Sequence, residues 1–173
     1  IYNTSATQIP LISHRLERIM AASGFESGSH AYKALLNVLE TYPRDELFQI
    51  DTPTLTEHAI GILRLQERQR TRLFLRRDRY GRFYSALVYI PRERFNTDVR
   101  LRIENLLKDA LGADQVDSSV VLGESPLAQL HLIVRPRAGV RGTLQRIAAS
   151  RLAVFGMSAE DPAPLAAPRP RCK

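Results

Sequence analysis

The sequence predicts an α+β protein with a ferredoxin-like βαββαβ sandwich, in which an antiparallel sheet carries two helices on one face. Three observations indicate this fold. From residue 47 onward, segments with strand and helix periodicity follow in the order strand, helix, strand, strand, helix, strand, with one added strand. Two of these strands flank a short polar turn that contains a glycine. The 173 residues, of which 44% are apolar and 25% charged, suffice for one domain with flanking helices.

An N-terminal helical segment is predicted over residues 1–43. Ser13 has the side chain of a helix cap, and a second helix is expected over residues 30–41, ending before Pro43. The apolar residues of this second helix recur at helical spacing, at Ala31, Leu35, Val38 and Leu39.

The sheet domain is predicted over residues 44–137, beginning with a strand at residues 47–50. Thr54 and Glu57 then have the spacing of a capping box at the start of a helix. His58 follows Glu57 on this helix, and we expect its side chain to face solvent.

A hairpin is predicted from Arg72–Arg77 and residues 83–90. The connection ends in Gly81, which can adopt the positive φ that such turns require. Apolar residues alternate onto both faces of the second strand, which indicates a central strand covered on both sides.

A helix and two strands complete the predicted sheet domain. Asn96 or Thr97 can cap a helix over residues 97–111, and Gly112 is suited to end it. The two strands are expected at residues 116–122 and 127–135.

The last segment, residues 138–173, is rich in Ala, Pro and Arg and is predicted to be partly helical or disordered. Of the formal net charge of +7, this segment carries +4 and residues 1–137 carry +3. Cys172 is the single cysteine, which excludes a disulfide within the chain.

Sequence motifs of catalysis are absent. The chain contains neither the G-x-G of a dinucleotide-binding turn nor a P-loop. The four histidines do not have the spacing of metal ligands, and the pair Asp45 and Glu46 is of a kind common at element ends. We therefore expect no catalytic, cofactor-binding or metal-binding residue, and no nucleophile with a neighbouring base. The longest apolar runs are far shorter than the roughly 20 residues of a membrane span.

Arginine is the conspicuous charge feature. From Arg64 to Arg102 there are twelve arginines and four acidic residues. Because a guanidinium binds carboxylates and phosphates through a planar fork, a cluster in the hairpin is a candidate site for an anionic effector or for docking. Its members are Arg76, Arg77, Arg79 and Arg82. The alternative is a solvated rim paired with acidic neighbours: Glu93, Asp98 and Glu104.

Several strings resemble the large bacterial NAD-specific glutamate dehydrogenases, over about residues 1–137. The longest are residues 33–49 (KALLNVLETYPRDELFQ) and 61–70 (GILRLQERQR). Further matches are residues 2–5 (YNTS), 9–11 (IPL), 28–30 (GSH), 76–78 (RRD), 81–83 (GRF), 87–92 (LVYIPR) and 124–128 (ESPLA) with His131.

The resemblance implies a non-catalytic regulatory or assembly segment from the N-terminal half of such an enzyme, in an ACT-like module. The parent enzymes convert L-glutamate, NAD and water to 2-oxoglutarate, ammonia and NADH. The resemblance implies that the parent enzyme binds NAD and that this fragment does not. It also implies a cytoplasmic location. The expected partners are the remainder of the parent chain, an amino-acid effector and a second copy of the protein. No interaction with a membrane is expected.

Two further expectations concern an alternative function and the ends of the chain. Residues 81–84 (GRFY) resemble the aromatic strand of RNA-binding ferredoxin-like domains, although the mild charge of residues 1–137 makes nucleic acid a weaker hypothesis. The start at Ile1 rather than Met suggests a piece of a longer protein. The likeness is expected to stop after Arg137, and a shifted reading frame or an artificial terminus would explain that change.

Overall fold

A four-stranded antiparallel sheet separates two helical layers in the computed structural model, which describes residues 4–68, 70–123 and 125–137. Four helices precede the sheet: α1 (Pro10–Ala22), α2 (His30–Thr41), α3 (Arg44–Gln49) and α4 (Thr52–Arg68). The sheet domain follows with β1 (Arg72–Arg77), β2 (Tyr84–Pro91), α5 (Thr97–Leu111), β3 (Ala113–Val121) and β4 (Leu127–Pro136). The strand order is β1-β2-β4-β3. The predicted tail, residues 138–173, lies outside the described residues.

The α+β class is confirmed, but the first predicted strand is wrong, because residues 44–49 form helix α3. Leu47 and Ile50 are both buried, whereas Phe48 is 42% exposed. Two buried positions three residues apart fit one face of a helical turn, and a strand would have placed them on opposite faces. The observed order within the sheet domain is therefore strand, strand, helix, strand, strand, rather than βαββαβ.

Two of the predicted helix starts are also wrong. Helix α1 begins at Pro10, so Ser13 lies inside it and donates its hydroxyl to the carbonyl of Pro10 at 3.0 Å. The start of α4 is capped by Asp51, whose carboxylate accepts the Thr54 backbone N–H at 2.9 Å and the Thr54 hydroxyl at 2.8 Å. Thr54 is therefore a donor to the cap rather than the cap itself.

The ends of α5 agree with the sequence. The Asn96 side chain accepts the backbone N–H of Val99 at 2.8 Å, and Gly112 ends the helix with a left-handed φ of 59°. One face of α5 is buried against the sheet by residues at helical spacing. These are Ile103, Leu107, Ala110 and Leu111.

The sheet has a hydrophobic core on each face. Helices α1 to α4 pack against one face, where Phe74, Leu87, Tyr89 and Leu127 complete their core. Helix α5 packs against the opposite face. There the sheet contributes Leu73, Tyr84, Ala86, Val88, Ile90, Leu130, Leu132 and Val134. Strand β2 is buried at every position because it lies inside the sheet and under both layers, as predicted for a central strand.

Helices α3 and α4 bury their side chains in the same core as α1 and α2. Leu47 of α3 and Leu55, Ala59 and Ile62 of α4 are all members of it. The domain division predicted between residues 43 and 44 stays a prediction. Among the described helices, none is long and apolar enough to cross a membrane.

Candidate functional site

The hairpin between β1 and β2 has a turn that is fixed by one carboxylate. The strands pair up to Arg77 and Tyr84, and the backbone N–H of Asp78 donates to the carbonyl of Phe83 at 2.9 Å. The Asp78 carboxylate, which is 6% exposed as a residue, accepts the backbone N–H groups of Tyr80 and Arg82 at 3.2 and 3.3 Å. Gly81 has the predicted positive φ, 71°. The turn is thus held from inside by hydrogen bonds.

Arg76 points away from the hairpin surface and into the layer between the sheet and the helices. Its Nε and Nη2 donate to Glu46 Oε2 and Oε1 at 2.8 and 2.9 Å, which is a bidentate ion pair. The side chains are only 8% and 4% exposed. Of the four predicted hairpin arginines, this one is therefore occupied by an internal carboxylate.

The electrostatics of Arg76 are set by Glu46. Burial alone would lower the pKa of the guanidinium, but the hydrogen bonds and the charge of Glu46 outweigh burial and raise it. The guanidinium also lies 5.8 Å from the centre of the Phe83 ring. Arg76 stays charged and joins β1 to α3.

The other three hairpin arginines lie at the surface. Arg77 and Arg79 are exposed, and the Arg82 side chain is 66% exposed while its Nε donates to Asp78 at 3.0 Å. This bond lowers the pKa of Asp78. Tyr80 is 75% exposed, and the Arg82 guanidinium lies 5.2 Å from its ring centre. We define the hairpin tip as residues 77–82, and its exposed side chains form one cationic, aromatic surface.

A second polar pair in the interlayer region corrects the prediction for His58, which is 7% exposed rather than facing solvent. Its Nδ1 lies 2.9 Å from the hydroxyl of Tyr42, and its ring packs 5.1 Å from Phe74. Burial lowers the pKa of His58, against the opposing influence of the Glu57 and Glu46 carboxylates. Burial also raises the pKa of Tyr42. Both side chains are therefore neutral near pH 7.

Ser85 and His131 form a pair that no feature of the sequence predicts. Ser85 Oγ lies 3.0 Å from His131 Nε2, which is the distance between a nucleophile and its base. A Ser–His hydrogen bond alone does not make Ser85 a nucleophile, so the expectation of no nucleophile beside a base stays a prediction. Ser85 is 4% exposed, so a substrate carbonyl cannot reach its Oγ without separating the two layers. Burial lowers the pKa of His131, and the pair serves to satisfy buried polar groups.

Sequence reasoning missed Glu46, Tyr42 and Ser85 as members of these pairs. The available signal was the helical spacing of Leu47 and Ile50, which puts Glu46 beside a buried face. The partner of Glu46 lies 30 residues away on a strand, and no sequence rule supplies such a distance.

A cavity of about 340 Å³ lies between α5 and β3. Its lining is polar: Glu104, Asn105, Lys108, Asp114, Gln115, Val116 and Asp117. The carboxylates are already engaged, since Glu104 accepts from Ser118 at 2.6 Å, Asp117 pairs with Arg135, and Asp114 pairs with Arg137 at 2.5 Å. Within the described ranges, no group of three or more His, Cys, Asp or Glu could hold a metal ion.

Models of known protein families match the segments that form both helical layers and the sheet. A model of the glutamate dehydrogenase helical motif 1 matches residues 9–68, which hold α1 to α4. A model of the glutamate dehydrogenase ACT2 domain matches residues 72–152, which include β1 to β4 and α5. The chain belongs to the NAD-specific glutamate dehydrogenase family. The ACT2 match continues past Arg137, so the expectation that the likeness stops there is wrong.

Three relatives, each named NAD-specific glutamate dehydrogenase, support the assignment. The protein of Halomonas elongata is 44% identical over 135 residues, which cover 78% of this chain. That of Pseudomonas aeruginosa is 41% identical over 135 residues, again 78% of this chain, and that of Mycobacterium tuberculosis is 37% identical over 141 residues, or 81%. The matched part spans only 8% to 9% of the length of these relatives.

Proposed function

We propose that this chain is a non-catalytic regulatory or assembly segment of an NAD-dependent glutamate dehydrogenase. The parent enzyme would oxidise L-glutamate to 2-oxoglutarate and ammonia, with NAD bound outside this segment and with a cytoplasmic location. The observation that carries the proposal is the joining of helical motif 1 to the ACT2 sheet by a shared core and by the Glu46–Arg76 ion pair. Because the helical motif and the sheet are joined in this way, we expect them to move as one rigid body. A rigid segment is suited to holding other regions of the parent enzyme in position.

The polar groups of the described residues support a structural rather than a chemical role. Arg76, His58 and Ser85 each have an internal partner and are less than 10% exposed. A catalytic group must instead reach a substrate atom within hydrogen-bond distance. The side chains that the fold brings together therefore hold layers together and are not offered to a substrate.

Two roles remain within the proposal. The segment could bind a small amino-acid effector, or it could hold the remainder of the parent chain, including a second copy in a homo-oligomer. The exposed hairpin tip favours the second role, because small ligands are bound in concave sites that enclose most of their surface. We therefore propose assembly as the main role.

A pair of variants in the full-length dehydrogenase tests the proposal. Glu46→Ala leaves Arg76 unpaired and weakens the joint between helical motif and sheet, while Glu17→Ala removes an exposed carboxylate of α1 as a control. We expect Glu46→Ala to change the particle mass distribution or the response to amino acids. Glutamate oxidation per intact assembly should stay the same. Unchanged assembly and unchanged response, in a variant whose segment has measurably loosened, would refute the proposal.

A ligand panel separates the two roles. The melting temperature of the chain would be measured with amino acids, nucleotides and a short RNA, since a ligand at a hundredfold excess over its dissociation constant stabilises the folded state by roughly 2.7 kcal/mol. A shift with one amino acid would support effector binding, and no shift would support assembly. The structure offers no observation in favour of the RNA alternative, because Tyr84 of the predicted aromatic strand is buried in the core under α5.

A further inference from the structure

We infer that the hairpin tip, residues 77–82, is a docking element that binds an acidic surface elsewhere in the parent dehydrogenase chain. This inference rests on the proposed function and deepens it, since it names the surface and the chemistry of its partner. It also divides the predicted arginine cluster in two: Arg76 stabilises the fold, and the three exposed arginines bind the partner.

The first argument is the rigidity of the tip. Asp78 accepts two backbone N–H groups and the Arg82 guanidinium, and the Gly81 N–H donates to the Asp78 carbonyl at 2.9 Å. The backbone of the tip is thus fixed before binding, and a preorganised backbone loses little conformational entropy when a partner binds.

The second argument is the composition of the exposed surface. The exposed side chains of the tip are Arg77, Arg79, Tyr80 and Arg82, whereas its single carboxylate, Asp78, is buried and pairs with Arg82. Arginine and tyrosine are enriched among the residues that dominate binding energies at protein interfaces. Tyr80 is 75% exposed, so most of its ring is accessible to a partner. Together these features favour a protein partner.

The third argument identifies the partner by charge. Arg77, Arg79 and Arg82 together with the carboxylate of Asp78 give the tip a formal charge of +2, and a planar guanidinium fork binds a carboxylate through two parallel hydrogen bonds. A partner surface with several Asp or Glu side chains around a shallow apolar recess would accept both the cations and the tyrosine ring. More than nine tenths of the relatives' length lies outside the part matched by this chain, and this remainder is where we place that surface.

A photo-crosslinking experiment in the full-length dehydrogenase tests the inference. Tyr80 is replaced by p-benzoylphenylalanine, and the crosslinked peptides are identified by mass spectrometry. We expect crosslinks to a peptide rich in Asp and Glu outside the 173 residues. The crosslink yield should fall about tenfold in R77E/R79E, which corresponds to the loss of about one interfacial hot spot.

The control is R94E/R102E, which makes the same change of charge at two exposed arginines outside the tip. It should leave the crosslink yield unchanged. Crosslinks to RNA, to the same segment of a second copy, or to no peptide would each overturn the inference. Glu46→Ala could alter assembly while the probe at position 80 yields no crosslink to an acidic peptide. That outcome would support the proposed function and refute docking through the hairpin tip.

Discussion

Glu46 and Arg76 place two opposite charges in a layer from which water is largely excluded. Removing a charged group from water is costly, and the cost is offset only when the pair has good geometry and further hydrogen bonds. The two bonds of 2.8 and 2.9 Å meet this condition. Such a pair adds little net stability, but it tolerates the loss of one partner poorly.

Glu46→Ala is therefore expected to lower the free energy of unfolding by about 3 kcal/mol, because it leaves the buried guanidinium of Arg76 without an acceptor. Urea denaturation measures this loss. The double variant E46M/R76M should be more stable than either single variant, since it removes both charges and fills the space. Equal losses for Glu46→Ala and the exposed control Glu17→Ala would show that the ion pair is not needed.

His58, which is buried, and His131, which is half-buried, make stability depend on pH. Burial lowers the pKa of His58 and of His131 in the folded state, whereas both titrate near 6.5 in the unfolded chain. Below about pH 6.5 the unfolded chain then binds more protons than the folded chain, so stability falls as the pH falls. The carboxylates whose pKa is lowered in the folded state, such as Glu40, add to this loss of stability only at lower pH, where they become protonated.

We expect the chain to lose stability between pH 7.5 and pH 5.5, with a slope of at most about 1.4 kcal/mol per pH unit for each histidine. The free energy of unfolding in urea at each pH measures this slope. H58Q/H131Q should flatten it, and the variant of an exposed histidine, H14Q, should retain it. A slope that is the same in all three proteins would assign the dependence to other groups.

Helix α4 approaches strand β1 closely at one position. Gly61 lies inside the helix, where a glycine normally costs about 1 kcal/mol relative to alanine. Here a Cβ would lie 2.7 Å from Cε1 of Phe74, a ring that is itself packed edge-on against Tyr89. The short distance between helix and sheet therefore requires a glycine at position 61. The cost of a clash with Phe74 outweighs the lower helix propensity of glycine.

Gly61→Ala is expected to destabilise the protein by about 1 kcal/mol, because overpacking of roughly 1–3 kcal/mol exceeds the gain in helix propensity. A double-mutant cycle with Phe74→Leu tests the cause. The alanine should cost less, or stabilise, once the ring is gone. If Gly61→Ala raises the melting temperature in the presence of Phe74, the close approach does not limit this helix.

At the scale of the whole molecule, one sheet serves two cores. Phe74, Leu87 and Tyr89 belong to the core formed with α1 to α4, while their neighbours along the strands, such as Leu73 and Val88, belong to the core formed with α5. Burying such side chains contributes about 1.5–3 kcal/mol each, so the sheet loses much of its support if either helical layer is removed. We therefore expect the helical motif and the ACT2 domain to form one folding unit.

We expect the full chain to unfold in urea in a single transition, with the same midpoint by near-UV and far-UV circular dichroism. A variant that begins at residue 70 lacks α1 to α4 and exposes one face of the sheet. It should bind the hydrophobic dye ANS and lose its near-UV signal. Two separate transitions in the full chain, or a truncated variant that unfolds cooperatively without binding ANS, would contradict a single unit.

The sequence by itself determined the local elements and the family. The alternation along β2, the cap at Asn96, the end of α5 at Gly112 and the turn at Gly81 all follow from side-chain periodicity and backbone preference, which are local properties. The strings shared with glutamate dehydrogenases led to the family that the comparisons confirm.

Tertiary structure decided what depends on partners distant in the chain. Residues 47–50 are too few for side-chain periodicity to distinguish a strand from a helix. The burial of both Leu47 and Ile50 in the core of α1 to α4 favours the helix that the structure has. Packing also buried His58 against Tyr42 and Phe74. It turned Arg76 inward to Glu46 and left Arg77, Arg79 and Arg82 outside. Adjacent arginines on a strand point to opposite faces, and only the tertiary structure shows that the face of Arg76 lies against Glu46 of α3.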